Sequence, residues 1–122
     1  MFLDFTSDIP IYLQIAQAIE DDIIKGIFEE ETQVPSTTEI SISYKINPAT
    51  VAKGFNLLVD EGIIYKKRGV GMFVCEGAKD HLVQKRKENF FDNYVKLLLN
   101  EAKKLGITVD EVIKMIEGGN CL

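Results

Sequence analysis

The chain has 122 residues, 46% of them hydrophobic, enough for one domain, or one small domain with an appendage, that buries a core. It carries 14 Lys and Arg against 19 Asp and Glu, a net charge of −5, which on its face argues against a polyanionic partner. No apolar run approaches the ~18 residues of a membrane span, and Met1-Phe2-Leu3-Asp4-Phe5 lacks the basic start and long apolar core of a signal peptide, so a cytoplasmic location without membrane contact is expected.

In chain order, Pro10 opens a helix whose Tyr12, Ile15, Ala16, Ile19 and Ile23 form an apolar stripe ending near Gly26. Acid is concentrated here. Residues 1–31 hold eight acids and one lysine, net −7, while 32–77 and 78–122 are each net +1. Local field, not total charge, decides what a surface attracts. The runs Glu20-Asp21-Asp22 and Glu29-Glu30-Glu31 read as solvated surface. Residues 27–35 form a polar loop with a short extended piece at Gln33-Val34.

Ser36-Thr37-Thr38-Glu39 is a capping box, with a helix following to about Tyr44. Asn47 as N-cap and Pro48 at the first helical position start another helix, which runs to about Glu61 and stops at Gly62. Its Val51, Phe55 and Leu58 share a core stripe. The opposite face carries Ala49, Thr50, Ala52, Lys53 and Asn56, small or polar and nearly free of acid. Strand-like Ile63-Ile64-Tyr65 and Met72-Phe73-Val74 then flank Lys66-Lys67-Arg68-Gly69-Val70-Gly71, which predicts a β-hairpin with glycines at its tip. Three like charges add nothing to a hairpin's stability, so they point to a phosphate-bearing partner. Gly69-Val70-Gly71 has no following helix to present to a nucleotide phosphate. Three helices and a basic hairpin make a winged helix-turn-helix, and the fold class is mainly α with a small β-hairpin.

Residues 78–105 read as one longer helix with Phe91, Tyr94, Val95, Leu98, Ala102 and Leu105 on a stripe. Gly106 breaks it. Thr108-Val109-Asp110-Glu111 is a second capping box, opening a last helix with Val112, Ile113, Met115 and Ile116. This two-helix tail has too much apolar surface to be a solvated appendage. It packs on the first domain, on a second copy, or on both, and Phe90-Phe91 and Tyr94 belong to a core or dimer interface rather than a ligand pocket. Lys85-Arg86-Lys87 reads as a polar helix face. The expected domains are residues 1–77 and 78–122. Cys75 and Cys121, the latter in a frayed tail, make no CxxC pair, and His81 stands alone, so no metal or other cofactor is expected. No nucleophile, base and orienting group converge, so no enzyme is expected.

The run Pro10-Ile11-Tyr12-Leu13-Gln14-Ile15 is followed by Val34-Pro35-Ser36-Thr37-Thr38-Glu39-Ile40 and Ile46-Asn47-Pro48-Ala49-Thr50-Val51. Leu58-Val59-Asp60-Glu61-Gly62-Ile63-Ile64-Tyr65 and Arg68-Gly69-Val70-Gly71-Met72-Phe73-Val74 complete the order. In these pieces, over residues 9–77, the chain resembles the GntR family of bacterial transcription regulators, and its short tail resembles the YtrA-type subfamily. The resemblance implies a winged helix binding double-stranded operator DNA as a homodimer. It implies a recognition helix starting at Asn47-Pro48, and a wing tip at Arg68-Gly69 reaching a minor groove. Residues 78–122 would then be the dimerisation unit, built on Phe91, Tyr94, Val95, Leu98, Ala102, Leu105, Val112 and Ile116. Ser36, Thr37, Asn47, Thr50, Lys53, Arg68 and Gly69 carry over as DNA contacts, joined by Thr38, Lys45, Pro48, Ala49, Lys66 and Lys67 on the same face. Family members often carry Arg where this chain has Thr38 and Ala52, and a turn glycine where it has Lys45. The expected function is transcription regulation, as a repressor, at a palindromic operator. The alternatives are a winged helix serving as a protein-interaction module, and a ligand-responsive regulator with a pocket between the tail helices.

Overall fold

Helix α1, Ile11–Ile24, forms on the predicted stripe: Ile15, Ala16, Ile19 and Ile23 are buried and Tyr12 is half-buried. Pro10 is its N-cap rather than its first helical residue. At φ −54° and ψ 141° Pro10 is extended, and its carbonyl accepts the N–H groups of Leu13 and Gln14. In this computed structural model residues 1–118 are described, so Cys121 and the frayed end expected around it lie outside the described residues. The chain divides into two compact units, Met1–Val83 and a second from Gln84 onward.

In the first unit, α2 (Thr37–Tyr44) and α3 (Pro48–Asp60) follow α1. Val51, Phe55 and Leu58 of α3 are buried as expected, each contributing roughly 1.5–3 kcal/mol of apolar burial. Close packing of α3 on α1 depends on Gly54. A Cβ there would lie 2.7 Å from the Tyr12 carbonyl oxygen and 3.3 Å from the Ile15 side chain. Strands β1 (Ile64–Lys67) and β2 (Gly71–Val74) pair antiparallel, Ile64 opposite Val74 and Lys67 opposite Gly71. Lys66 and Lys67 thus belong to a strand rather than to the loop, which shrinks to residues 68–70.

Residues 31–34 lie along the free edge of β2. The Glu31 N–H donates to the Val74 carbonyl (2.8 Å), the Val74 N–H to Thr32 (3.0 Å) and the Val34 N–H to Met72 (2.9 Å). The extended piece expected at Gln33-Val34 is therefore real, and Gln33 bridges to Phe73. Gln14, off the apolar stripe, is nonetheless buried. Its Oε1 accepts the Asp4 N–H (2.7 Å), and its Nε2 donates to the carbonyls of Asp4 (2.9 Å) and Ile9 (2.8 Å), tying down the segment before α1. Helix α4, Ala78–Glu88, sends Ala78 and Leu82 into the same core. The first unit therefore runs past Gly77, where the sequence placed its end.

The helix predicted over residues 78–105 is not uniform. A π-helical turn, Phe91–Val95, separates α4 from α5 (Lys96–Lys104), and the Lys96 N–H reaches back five residues to the Phe91 carbonyl. The apolar positions 91, 94, 95 and 98 keep ordinary α spacing in sequence, so periodicity gave no sign of the turn, which rotates the stripe beyond it relative to the part before. Helix α6, Val109–Gly118, opens at the predicted box. Thr108 Oγ1 accepts the Glu111 N–H (3.1 Å), and the Glu111 carboxylate accepts the Thr108 N–H (3.2 Å). Among the described residues no helix is long and apolar enough to cross a membrane.

Candidate nucleic-acid interface

The face expected to meet a polyanion is built from three places in the first unit. The first is the start of α2. Ser36 sits in an extended conformation, and its Oγ accepts the Glu39 N–H (3.0 Å) while its own N–H donates to Glu39 Oε1 (3.3 Å). The box uses an oxygen lone pair of Ser36 and leaves the hydroxyl proton available as a donor. Thr37 is half-buried and Thr38 exposed beside it, at a helix end that favours negative charge.

The second place is the turn into α3. Lys45 closes α2 in the left-handed region at φ 54°, ψ 49°. That conformation costs a non-glycine residue roughly 1–2 kcal/mol. Ser41 holds the turn: its carbonyl accepts the N–H groups of Lys45 and Ile46, and its Oγ donates to the Ile46 carbonyl at 2.6 Å. Asn47 Oδ1 accepts the Ala49 N–H at 2.8 Å, so this side chain caps α3 and keeps only its NH2 group to offer outward. Pro48 and Ala49 are exposed, and Thr50 and Ala52 half-buried. Lys53 is exposed, but its Nζ lies 4.0 Å from the centre of the Tyr12 ring. A cation held over an aromatic face loses freedom but keeps its charge at the surface. Nothing in the periodicity separated Tyr12 from the core stripe. The contact arises from the packing of α3 on α1, which no local pattern in either helix records.

The third place is the wing. Its tip is a tight turn in which the Val70 N–H donates to the Lys67 carbonyl (2.9 Å) and Gly69 adopts φ 77°. Lys66, Lys67, Arg68 and Gly69 are all exposed. Lys67 Nζ rests 4.7 Å from the Phe73 ring centre, and Phe73 stacks on Tyr65 with ring centres 5.9 Å apart. At the far end of this row the Tyr65 hydroxyl donates to Glu31 Oε2 (2.9 Å), a bond that pushes the phenol's pKa above its usual value. Burial, with a smaller effect from Glu31, raises that of the Cys75 thiol. Glu31 itself is left-handed, at φ 64°. Among the described residues no group of three His, Cys, Asp or Glu could hold a metal ion.

The residues expected to pair two copies divide into two sets. Phe91, Tyr94, Leu98, Leu105 and Ile116 are exposed, with Val95 half-buried. Ala102 and Val112 are instead buried. The difference is geometric: when α5 and α6 pack on each other, a stripe's innermost small residues face the neighbouring helix and its larger ones stay outside. An apolar groove of about 360 Å³ remains open in this unit, lined by Leu98, Leu105, Ile107, Met115 and Ile116 among others.

The family model for bacterial regulatory proteins of the gntR family matches residues 11–74. The HTH-type transcriptional repressor YtrA of Bacillus subtilis is 33% identical over 115 residues, which are 94% of this chain and 88% of that protein. The crystal structure of a putative GntR-family transcriptional regulator from Bacteroides thetaiotaomicron is 40% identical. It superposes with a TM-score of 0.68 over 88% of this chain and 94% of its own. The DNA-binding domain of AraR, in complex with operator ORX1, is 26% identical with a TM-score of 0.55, over 62% of this chain and 93% of that one. The chain belongs to the gntR family of bacterial regulatory proteins.

Proposed function

We propose that the chain is a homodimeric, sequence-specific DNA-binding repressor of transcription. The observation that carries this reading is the gathering, within one unit, of the α2 start, the outer face of α3, whose first three turns carry no acid, and a wing with exposed Lys66 and Arg68. Ser36, Thr37 and Lys53 hold phosphates. The start of α3 enters a major groove, where Ala49 or the Thr50 methyl meets a thymine methyl. Arg68 enters a minor groove beside Gly69, where only hydrogen stands in place of a side chain. Lys45, Lys66 and Lys67 add charge, and Thr38 lies beside them. Two copies joined through the second unit read two half-sites of a palindrome, about one helical turn or more apart. YtrA, named a repressor, aligns along nearly the whole of this chain and supports the sign of regulation.

Selection of bound duplex from a random pool, followed by a salt titration, tests this. Log K is expected to fall linearly with log salt, at about −0.9 per phosphate contact. Arg68→Ala is expected to weaken the selected duplex by roughly 1–3 kcal/mol with the fold intact. Affinity that stays flat with salt would refute DNA as the partner.

A further inference from the structure

We propose that Gln33, in the loop before α2, is a positioning residue that holds the wing tip so that Arg68 is presented to DNA. The inference rests on the DNA-binding reading above. Gln33 Nε2 donates to the Val70 carbonyl at 3.0 Å, across 37 residues of sequence. Val70 adjoins Gly69 in the tip turn, and its side chain is 59% exposed, so packing does little to hold the tip. Within the turn one backbone bond is formed, from the Val70 N–H to the Lys67 carbonyl. The Gln33 amide adds the tie from tip to body.

The second glycine of the wing fits this role. Gly71 adopts φ 146°, and a Cβ built on it would run into Gln33 Nε2. The missing side chain at Gly71 is the space the Gln33 amide occupies. At its other end, Gln33 is fixed by its backbone bridge to Phe73 and by the neighbouring bond from the Val34 N–H to Met72. Three residues further on, Ser36 caps α2. One side chain therefore links the wing tip to the start of the helix-turn-helix. A tip held in its bound geometry loses less freedom when its arginine enters a groove. A tip without the tie must be ordered by the DNA itself.

The test is a double-mutant cycle in the full-length chain, with the tightest duplex selected by the wild-type chain from a random pool as probe. Gln33→Met removes the donor and nearly keeps the length. It is expected to weaken binding about fivefold, the worth of one hydrogen bond, with an unchanged melting temperature. In an Arg68→Ala background the same substitution is expected to cost less than about twofold, because its effect passes through Arg68. Wild-type affinity in Gln33→Met would overturn the proposal. So would a full fivefold loss that persists without Arg68, an Arg68→Ala variant that binds as the wild type does, or a loss that tracks a lowered melting temperature. In each of these cases the DNA-binding reading survives. A wild-type chain that selects no duplex overturns that reading, and this proposal with it.

Discussion

The two units spend their apolar residues in opposite ways. In Met1–Val83 most of the large ones are turned inward: Phe55, Ile15, Ile19, Ile23, Leu58, Ile63 and Leu82 are essentially fully buried, while Phe2, Phe5, Ile27 and Ile42 are scattered outside the core and more than half exposed. From Gln84 onward only Ala102 and Val112 are buried among the described hydrophobic residues, while Phe90, Phe91, Tyr94, Leu97, Leu105 and Ile116 are each more than half exposed. The first unit closes a core of its own. The second leaves most of its large apolar residues uncovered. An apolar surface of that extent marks an interaction site rather than a solvated one, and in the homodimer proposed above a second copy covers it by symmetry. The open groove of the second unit is, on this reading, part of that interface.

The largest expected effect separates the units by one deletion made twice. Phe55→Ala is expected to destabilise the first unit by about 3–5 kcal/mol, through lost burial and a cavity. Phe91→Ala removes the same atoms from an exposed position, so it is expected to leave the first unit's unfolding midpoint unchanged and to raise the concentration at which dimers form. Denaturant unfolding and sedimentation of the two variants measure both. Equal destabilisation by the two would erase the contrast. A smaller effect sharpens it from the polar side. Thr38→Arg adds a cation where a relative of this family often carries one. It is expected to raise affinity for specific and nonspecific duplexes alike, and to steepen the salt slope by about one unit, without altering the dimer. Lower affinity with the fold intact would mean that Thr38 makes a contact arginine cannot replace.

Local chemistry was legible in the sequence. The boxes at Ser36–Glu39 and Thr108–Glu111 and the Asn47 cap each depend on residues a few positions apart, and all occur as read. The α3 stripe was legible because burial on a helix follows its period. Contacts between distant segments were not. Lys53 over Tyr12, Gln33 on the Val70 carbonyl and Glu31 on Tyr65 join elements whose spacing carries no motif. The sequence showed Gly71 as a tip glycine, and only the fold shows the side chain that fills its space. In the tail, periodicity found the apolar stripe. It could not tell Ala102 and Val112, inside the helix pair, from Leu98 and Ile116 outside it. Nor could it see the π-turn at Phe91–Val95, since Phe91, Tyr94, Val95 and Leu98 keep the spacing an unbroken α-helix would carry.

The most direct measurement of this contrast is sedimentation equilibrium of the full-length chain, beside a variant carrying Leu98→Asp and Ile116→Asp. Both positions are exposed, and both line the apolar groove. The wild type is expected to be a dimer at micromolar concentration. The variant is expected to be a monomer that unfolds at the wild-type midpoint of the first unit and binds each half-site singly and weakly. A wild-type chain that sediments as a monomer, or a doubly charged variant that remains a dimer, would contradict the assignment of the second unit as the interface.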